Sequence, residues 1–515
     1  MYNRFSGKFG PSHIGRREFL GTMGATTLGA AGLSIMSPFE FAKDAMAAEP
    51  SIQITTIEVA TMSASWLNST GYIIRINTNK GISGYGEIRN EDSGGGFGGG
   101  STGGLAELTS MWPTLKGMNP TQIDTVFNAI RNTGTPDTNT STTVNQCAMT
   151  DIPRHTGGMC AVECACWDIL GKMHNVPIWK LLGPKYRDSM RMYADTGMQN
   201  SLTALNSAID TRVGLGFTWY KHDITYNNGY FPNGALVNGT DYTNAGDSNF
   251  SYPYTVIHLT SSGMDKLLSY SQAYRARLVY NGTTAGGFDL TTAPISSDHN
   301  TGWTGPNYLD VTSANLWTQA MYDTSAQGPW GGWHEDIVPW WFSKGFNPNL
   351  AILDAIHAGN NSGGIANSAG KYNGLVNTKG TATPILTGED MYCSDQYQAM
   401  IDAGSVDYIH PDPASSGAIN QCRMAALYAA SKGIYTAFHN SNGPFATAMN
   451  CHICAGIPEP YFLACELHYP DNYTQWQAYT IPQLNFVNGC IPIPMEPGLG
   501  VKPSTSLSFT TKTYT

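Results

Sequence analysis

Three apolar, strand-like runs of this chain each end on a carboxylate, and a fourth ends on a histidine. The runs are "APISSDHN" reaching Asp298, "GGWHED" reaching Glu335, "TPILTGED" reaching Glu389 and "GIYTAFH" reaching His439. Helical patterns such as "ANLWTQAMY" and "INQCRMAALYAASKG" lie between them. Strand, turn-borne polar residue, helix, repeated in order, is how a (β/α) barrel gathers polar side chains at the carboxyl ends of its strands. Three carboxylates converging from successive strands would repel one another without a cation among them. The pattern therefore predicts a Mg²⁺ site facing a histidine base, and so an enzyme.

The rest of the chain suits that architecture. At 515 residues it is too long for one ordinary domain but fits a barrel plus a second module. Charged residues make up 13%, about half the usual quarter, so Asn, Thr, Ser, Gly and Tyr must cover the surface, as in an exported protein. The net charge is −10 and no basic run follows the N-terminal region. Nucleic acid and anionic membranes are poor partners for such a chain.

The first residues predict the export. "GRREFLG" pairs Arg16 and Arg17 ahead of a weakly apolar, Gly/Ala-rich stretch from Leu20 to Met36, and Ala45 and Ala47 offer a cleavage site. This is the pattern of a twin-arginine signal over 1–48, with the twin-arginine export machinery as partner and a periplasmic or otherwise exported destination. That route carries folded proteins, which suits a metal loaded in the cytoplasm. The stretch has too few large side chains for a stable membrane anchor. Ten cysteines in an exported chain invite a disulfide framework, but Cys164, Cys166, Cys451 and Cys454 fall inside helical patterns. Buried thiols acting as small apolar residues fit that placement better.

After the signal, "IQITTIEVATM" and "TGYIIRINTNKGISGYGEI" alternate like paired strands. A Gly-rich loop, Ser93 to Gly104, is either a flexible linker or a mobile lid. Helices then run to about Leu182, where Gly183 and Pro184 stop them. Strand–helix alternation follows from about Met192 to Leu467, and an irregular Pro/Gly-rich tail closes the chain. The expected division is a cap domain over 49–190, a barrel over 191–470 and a C-terminal segment over 471–515 that returns to the cap.

The ordered motifs resemble the enolase superfamily, in its mandelate racemase-like group. "TNKGISGYGEI" is similar to that family's cap strand pair, and "AVECACWDILGKMHNVPIWKLLG" to the helix leading from cap to barrel. "ILTGED", "VDYIHPD", "AFH" and "PGLGV" resemble its fifth to seventh barrel strands and its return to the cap. The resemblance implies an α/β fold: a modified TIM (β/α) barrel under an α+β cap made from both ends of the mature chain. Such a fold is compatible with a homo-oligomer.

The resemblance also implies roles. Asp298, Glu335 and Glu389 become Mg²⁺ ligands from the third, fourth and fifth strands, with a small-molecule carboxylate as substrate. His439 and Asp412 become the His–Asp dyad that removes the proton alpha to that carboxylate, giving an enediolate that the metal stabilises. Glu466 ends the eighth strand, where the family often places an acid that binds the substrate carboxylate. The second strand departs from the family: Lys221 is followed by Asp223 where a second lysine is usual. Asp223 is either a base or a partner of Lys221, and its presence favours one-base chemistry. The expected function is a dehydratase of a sugar acid or related hydroxy acid. A racemase or epimerase using the same enediolate, and an exported acid- or carbohydrate-binding protein without turnover, are the alternatives.

Overall fold

Alternating apolar residues in the N-terminal strands dictate one buried sheet face. Ile57 and Val59 of Ile54–Ala64 lie opposite Ile76 and Ile74 of Ser69–Thr78, and all four are fully buried. The computed structural model describes residues 51–64, 69–88, 103–130, 157–197, 199–223, 236–244, 256–282, 290, 293, 295–298, 308–309, 334–335, 385–389, 393–402, 406–468, 477–510 and 512–515. Ile52–Thr515 form one unit. The region read as a signal, and Ser93 to Thr102 of the Gly-rich loop, lie outside the described residues. Gly103 and Gly104, read as the end of that loop, instead open the helix Gly103–Leu115. Among the described residues no helix is long and apolar enough to cross a membrane.

The cap is an antiparallel sheet in the order Lys512–Tyr514, Ile54–Ala64, Ser69–Thr78, Ser83–Ile88. Its buried face packs on the helices Gly103–Leu115, Ile123–Ile130 and Gly157–Met173. Glycine at alternate positions of "SGYGEI" has a steric cause. A Cβ on Gly84 or Gly86 would lie 2.0 Å from the carbonyl oxygen of Ala165 or Ala161, so the strand touches helix backbone there. The tail contributes a strand to the sheet, so the cap is built from both ends of the described chain.

Among the described residues eight parallel strands form the barrel: Ser189–Thr196, Tyr220–Asp223, Ile295–Asp298, His334–Glu335, Ile385–Thr387, Tyr408–Ile409, Tyr435–Phe438 and Phe462–Leu467. The eighth pairs with the first, Leu467 opposite Ala194, and closes the cylinder. The helices Leu202–Gly214, Ser261–Asn281, Cys393–Asp402, Ala418–Ser431 and Pro444–Ala455 follow five of these strands. A small sheet of Tyr242–Asn244, Val256–Leu259 and Tyr308–Leu309 interrupts the regular alternation.

Two buried carboxylates, Glu163 and Glu87, join cap to barrel, and a third, Asp168, ties the cap to the C-terminal segment. Glu163, on the cap helix, accepts from the backbone N–H groups of Ile419 and Asn420 at the start of Ala418–Ser431, both at 3.2 Å, and from Trp167 Nε1 at 2.9 Å. Glu87, at the end of the third cap strand, accepts from Gly443 N, and from Phe445 and Ala446 N at 3.1 Å, capping Pro444–Ala455. Asp168 accepts from Tyr85 N at 3.0 Å and Leu499 N at 2.8 Å, with Lys172 Nζ at 2.6 Å. Helix N-termini present unpaired N–H groups and partial positive charge, so a carboxylate is the natural filler.

Burial pushes the carboxyl pKa of both Glu87 and Glu163 up to about 7, although the N–H donors pull the other way. A folded-state pKa above the ordinary 4.5 means stabilisation that is complete in acid. It is lost as pH rises through 7 and is level beyond. Glu163→Gln keeps an accepting oxygen and removes the titration. The stability of wild type relative to this variant should fall by about 2–3 kcal/mol between pH 5 and pH 8. Denaturant melts of both proteins across that range check it, and parallel curves would refute it.

The eight described cysteines behave as small apolar side chains. Cys160, Cys164, Cys166, Cys422, Cys451, Cys454 and Cys465 are buried, Cys490 is half-buried, and all eight are free.

Candidate active site

Register brings the strand-end acids to one level. Asp223 lies opposite Asp298 across the second and third strands, and Asp298 lies opposite Glu335 across the third and fourth. Glu389 follows the fifth strand by two residues, because Leu386 is opposite Glu335 and Thr387 ends the strand. All four are therefore at the carboxyl end of the barrel. The side chains of Asp223, Asp298 and Glu335 lie outside the described residues; that of Glu389 is described and buried.

His439 follows the seventh strand directly and is 4% exposed. Its Nδ1 is 2.8 Å from Asp412 Oδ2, and its Nε2 is 2.8 Å from Glu389 Oε2 and 3.4 Å from Glu466 Oε2. The imidazole thus bridges an orienting carboxylate on one side and the acid of the fifth strand on the other. Burial opposes charge on the ring. The carboxylates of Glu389, Glu466 and Asp412 outweigh it and hold its pKa well above the ordinary histidine value. Asp412 is itself fixed by three further contacts: Ala414 N at 2.8 Å, and Asn442 Nδ2 at 3.2 Å from Oδ1 and 2.9 Å from Oδ2. Asn442, in the "NSNG" that follows His439, therefore steadies the dyad, and Glu87 of the cap holds the helix that follows.

His410, two residues before Asp412, is engaged by other groups. Its Nδ1 contacts the carbonyl of Ala437 at 3.1 Å, and its Nε2 lies 3.4 Å from the Tyr193 hydroxyl. Burial, with His439 beside it, pushes its pKa down to about 3. It is a neutral wall of the site.

Glu466 lies at the centre of a second group. Lys221 Nζ donates to its Oε1 and is also 3.5 Å from Asp195 Oδ2. Asn440 N donates to its Oε2 at 3.2 Å. Burial alone would favour the neutral acid, but Lys221 and His439 outweigh it and hold Glu466 well below the usual carboxylate range. His468 Nε2 is 3.3 Å from Glu466 Oε1 and 3.1 Å from Asp195 Oδ2. Burial raises the Asp195 pKa while Lys221 and His468 pull it down. Asp195, Glu466 and His468 each offer a ligand atom within 4.8 Å of the others, the spacing of a cation site. An ammonium already lies against both carboxylates, so the charge a metal would supply is in place.

Sequence inspection missed Asp195, Asn442 and His468. Asp195 nearly ends the first strand as the recognised acids end theirs, and His468 follows Glu466 by two residues, which in a strand returns to the same face.

Comparisons with known proteins agree with this fold. Residues 44–183 match the mandelate racemase / muconate lactonizing enzyme N-terminal domain, and residues 366–507 match the enolase C-terminal domain-like family. Together the two spans cover more than half of the chain, which belongs to the enolase superfamily and is an enzyme of its mandelate racemase / muconate lactonizing enzyme group. The chain is 24% identical over 433 residues to the D-xylonate dehydratase of Haloferax volcanii, covering 83% of this chain and 82% of that one. It is 22% identical over 408 residues to the D-galactonate dehydratase of Verminephrobacter eiseniae, covering 78% of each. A solved enolase-superfamily structure from Salmonella Typhimurium superposes with a TM-score of 0.63 at 19% identity, over 90% of this chain and 99% of that one. A mandelate racemase/muconate lactonizing enzyme-like protein from Rubrobacter xylanophilus gives 0.62 at 19%, over 88% and 96%.

Proposed function

We propose that the protein is a Mg²⁺-dependent dehydratase of a sugar acid. The observation that carries this is the His439 imidazole, held by Asp412 on one nitrogen and facing Glu389 with the other. The names of its relatives, dehydratases of D-xylonate and D-galactonate, support the substrate class.

The donor set fits a hard divalent cation: carboxylates only, at the ends of three successive strands, with Asp298 and Glu335 in register. Asp298, Glu335 and Glu389 are assigned as the residues that would hold Mg²⁺. When bound there, it supplies positive charge against the oxygens of the substrate's carboxylate. With Glu389 engaged by the cation it would no longer hold a proton on the imidazole, and His439 Nε2 would take the alpha proton, Asp412 fixing the tautomer that leaves that nitrogen able to accept. Glu466, with Lys221 on one oxygen and Asn440 N near the other, positions the substrate's carboxylate end. The beta hydroxyl leaves as water, and the enol becomes a 2-keto-3-deoxy acid.

Epimerisation needs a competent base on the opposite face. The Lys221 ammonium is already engaged by Glu466 and Asp195, which favours dehydration. Incubating the protein with Mg²⁺ and D-xylonate, D-gluconate or D-galactonate in heavy water tests the proposal. Keto-acid formation is expected. Deuterium incorporation with inverted configuration and no keto acid would favour the epimerase, and no reaction with a wider acid-sugar panel would favour a binding protein.

We further propose twin-arginine export, supported by Arg16 and Arg17 ahead of the Gly/Ala-rich stretch. Arg16→Lys with Arg17→Lys should leave folded precursor in the cytoplasm, as read by cell fractionation. Unimpaired export would dismiss that route.

A further inference from the structure

We infer that Glu87, from the cap domain, is a positioning residue for the base: by filling the start of the helix Pro444–Ala455 it keeps Asn442 on Asp412, and Asp412 on His439. This rests on the dehydratase proposal, in which His439 is the base, and adds to it a residue from outside the barrel.

The link runs through the loop from His439 to Gly443, which is buried along its whole length. Asn440 N donates to Glu466 Oε2 at 3.2 Å, and Asn440 Nδ2 donates to Thr447 Oγ1 at 3.0 Å. Asn442 Nδ2 donates to Asp412 Oδ2 at 2.9 Å and Oδ1 at 3.2 Å, and that Oδ2 is 2.8 Å from His439 Nδ1. Gly443 then occupies the position before the helix, where Ser, Asp or Asn would ordinarily satisfy the first N–H groups. It has no side chain with which to do so.

The glycine has a steric cause. A Cβ on Gly443 would lie 2.7 Å from Glu87 Oε1 and 3.0 Å from Oε2. Its φ of −84° and ψ of −166° are open to other residues, so the close approach of the carboxylate is what requires glycine. Glu87 takes the place of the missing side chain. One of its oxygens accepts from Gly443 N, and the other from Phe445 N and Ala446 N, both at 3.1 Å. Gly443 N is bonded directly to the carbonyl carbon of Asn442. Fixing that N–H therefore fixes the Asn442 backbone, and with it the point from which Nδ2 reaches Asp412. A shift of about 1 Å at a proton-transfer group can cost about 100-fold in rate. Asp298, Glu335 and Glu389 belong to the third, fourth and fifth strands, away from this loop, so the loss should fall on proton transfer rather than on cation binding.

Glu87→Gln replaces two accepting oxygens by one. With D-xylonate, D-gluconate and D-galactonate in heavy water, kcat for alpha-deuterium exchange should fall about tenfold or more, while KM and Mg²⁺ affinity stay within about threefold of wild type. Gly443→Ala displaces the same carboxylate without altering it and should give the same split, which keeps the link testable if Glu87→Gln does not fold. Asn442→Leu, close in volume, should lower kcat at least as far, and adding Glu87→Gln to it should cost no more than about a further threefold. Exchange within about threefold of wild type in Glu87→Gln, parallel loss of Mg²⁺ affinity, or fully additive losses in the double variant overturn the inference. A second measurement needs no substrate: hydrogen exchange of the Asn442 side-chain amide in nitrogen-15-asparagine-labelled full chain, assigned with Asn442→Leu. It should be about tenfold faster or more in Glu87→Gln and Gly443→Ala. An unchanged rate overturns the inference even if no acid sugar is turned over. Inert wild-type protein whose variants show the faster amide exchange would instead count against the dehydratase proposal alone.

Discussion

His439→Asn should abolish removal of the alpha proton, lowering deuterium exchange by about 10²–10⁴-fold while leaving divalent-cation binding intact. The size follows from what the imidazole does. Its Nε2 faces the carboxylates of Glu389 and Glu466, and its Nδ1 is tied to Asp412, so no other described side chain can take its place without moving. Asparagine can still donate to Asp412, which keeps that carboxylate paired, but it cannot accept a proton from carbon. Asp412→Asn should give a smaller loss, because an amide must satisfy donors from His439, Ala414 and Asn442 that the carboxylate accepts freely. Exchange rates by proton NMR, with cation affinity by calorimetry, check both. Retained exchange in His439→Asn would move the base to Lys221 or Asp223.

Much of the architecture was legible because it repeats. Eight strands interleaved with helices leave a periodic trace, and the strand-end acids stand out because apolar runs rarely end on a charge. Glu163 was legible in principle: a glutamate inside "AVECACW" has no solvent face in so apolar a helix and needs buried donors. The closure of the barrel was not legible. His468 meets Asp195 only because the eighth strand pairs with the first, a contact between distant parts of the chain that no local pattern encodes. The same holds for Glu87, whose role depends on the cap strand ending against the helix Pro444–Ala455. Lys221 illustrates a further limit. Its spacing from Asp223 leaves that acid open as a base or as its partner, and the described contacts add Glu466 and Asp195 on the strands to one side. A strand's own sequence says which residues share a face, and the neighbouring strands decide what they meet.

Chelation should silence the enzyme as completely as loss of His439. Three carboxylates sharing one site, as proposed for Asp298, Glu335 and Glu389, are costly without positive charge, the more so because Glu389 is 5% exposed. Under the proposed assignment, removing the cation also removes the charge that makes an alpha proton acidic enough to abstract. Wild-type protein stripped with a chelator should therefore lose both exchange and keto-acid formation and regain both with Mg²⁺, keeping its folded far-ultraviolet spectrum throughout. Glu389→Gln should weaken cation affinity by about 100-fold, since it deletes one of three ligand charges and leaves an amide oxygen in its place. Asp298→Asn and Glu335→Gln, the acids on the two preceding strands, should behave alike, which distinguishes a shared site from three separate surface acids. Calorimetric titration with Mg²⁺, and with Mn²⁺ as a paramagnetic probe, reads the affinity without reference to turnover. Undiminished binding in all three variants, or full activity after exhaustive chelation, would remove the metal from the assignment and leave His439 to work on a substrate activated by Lys221 alone.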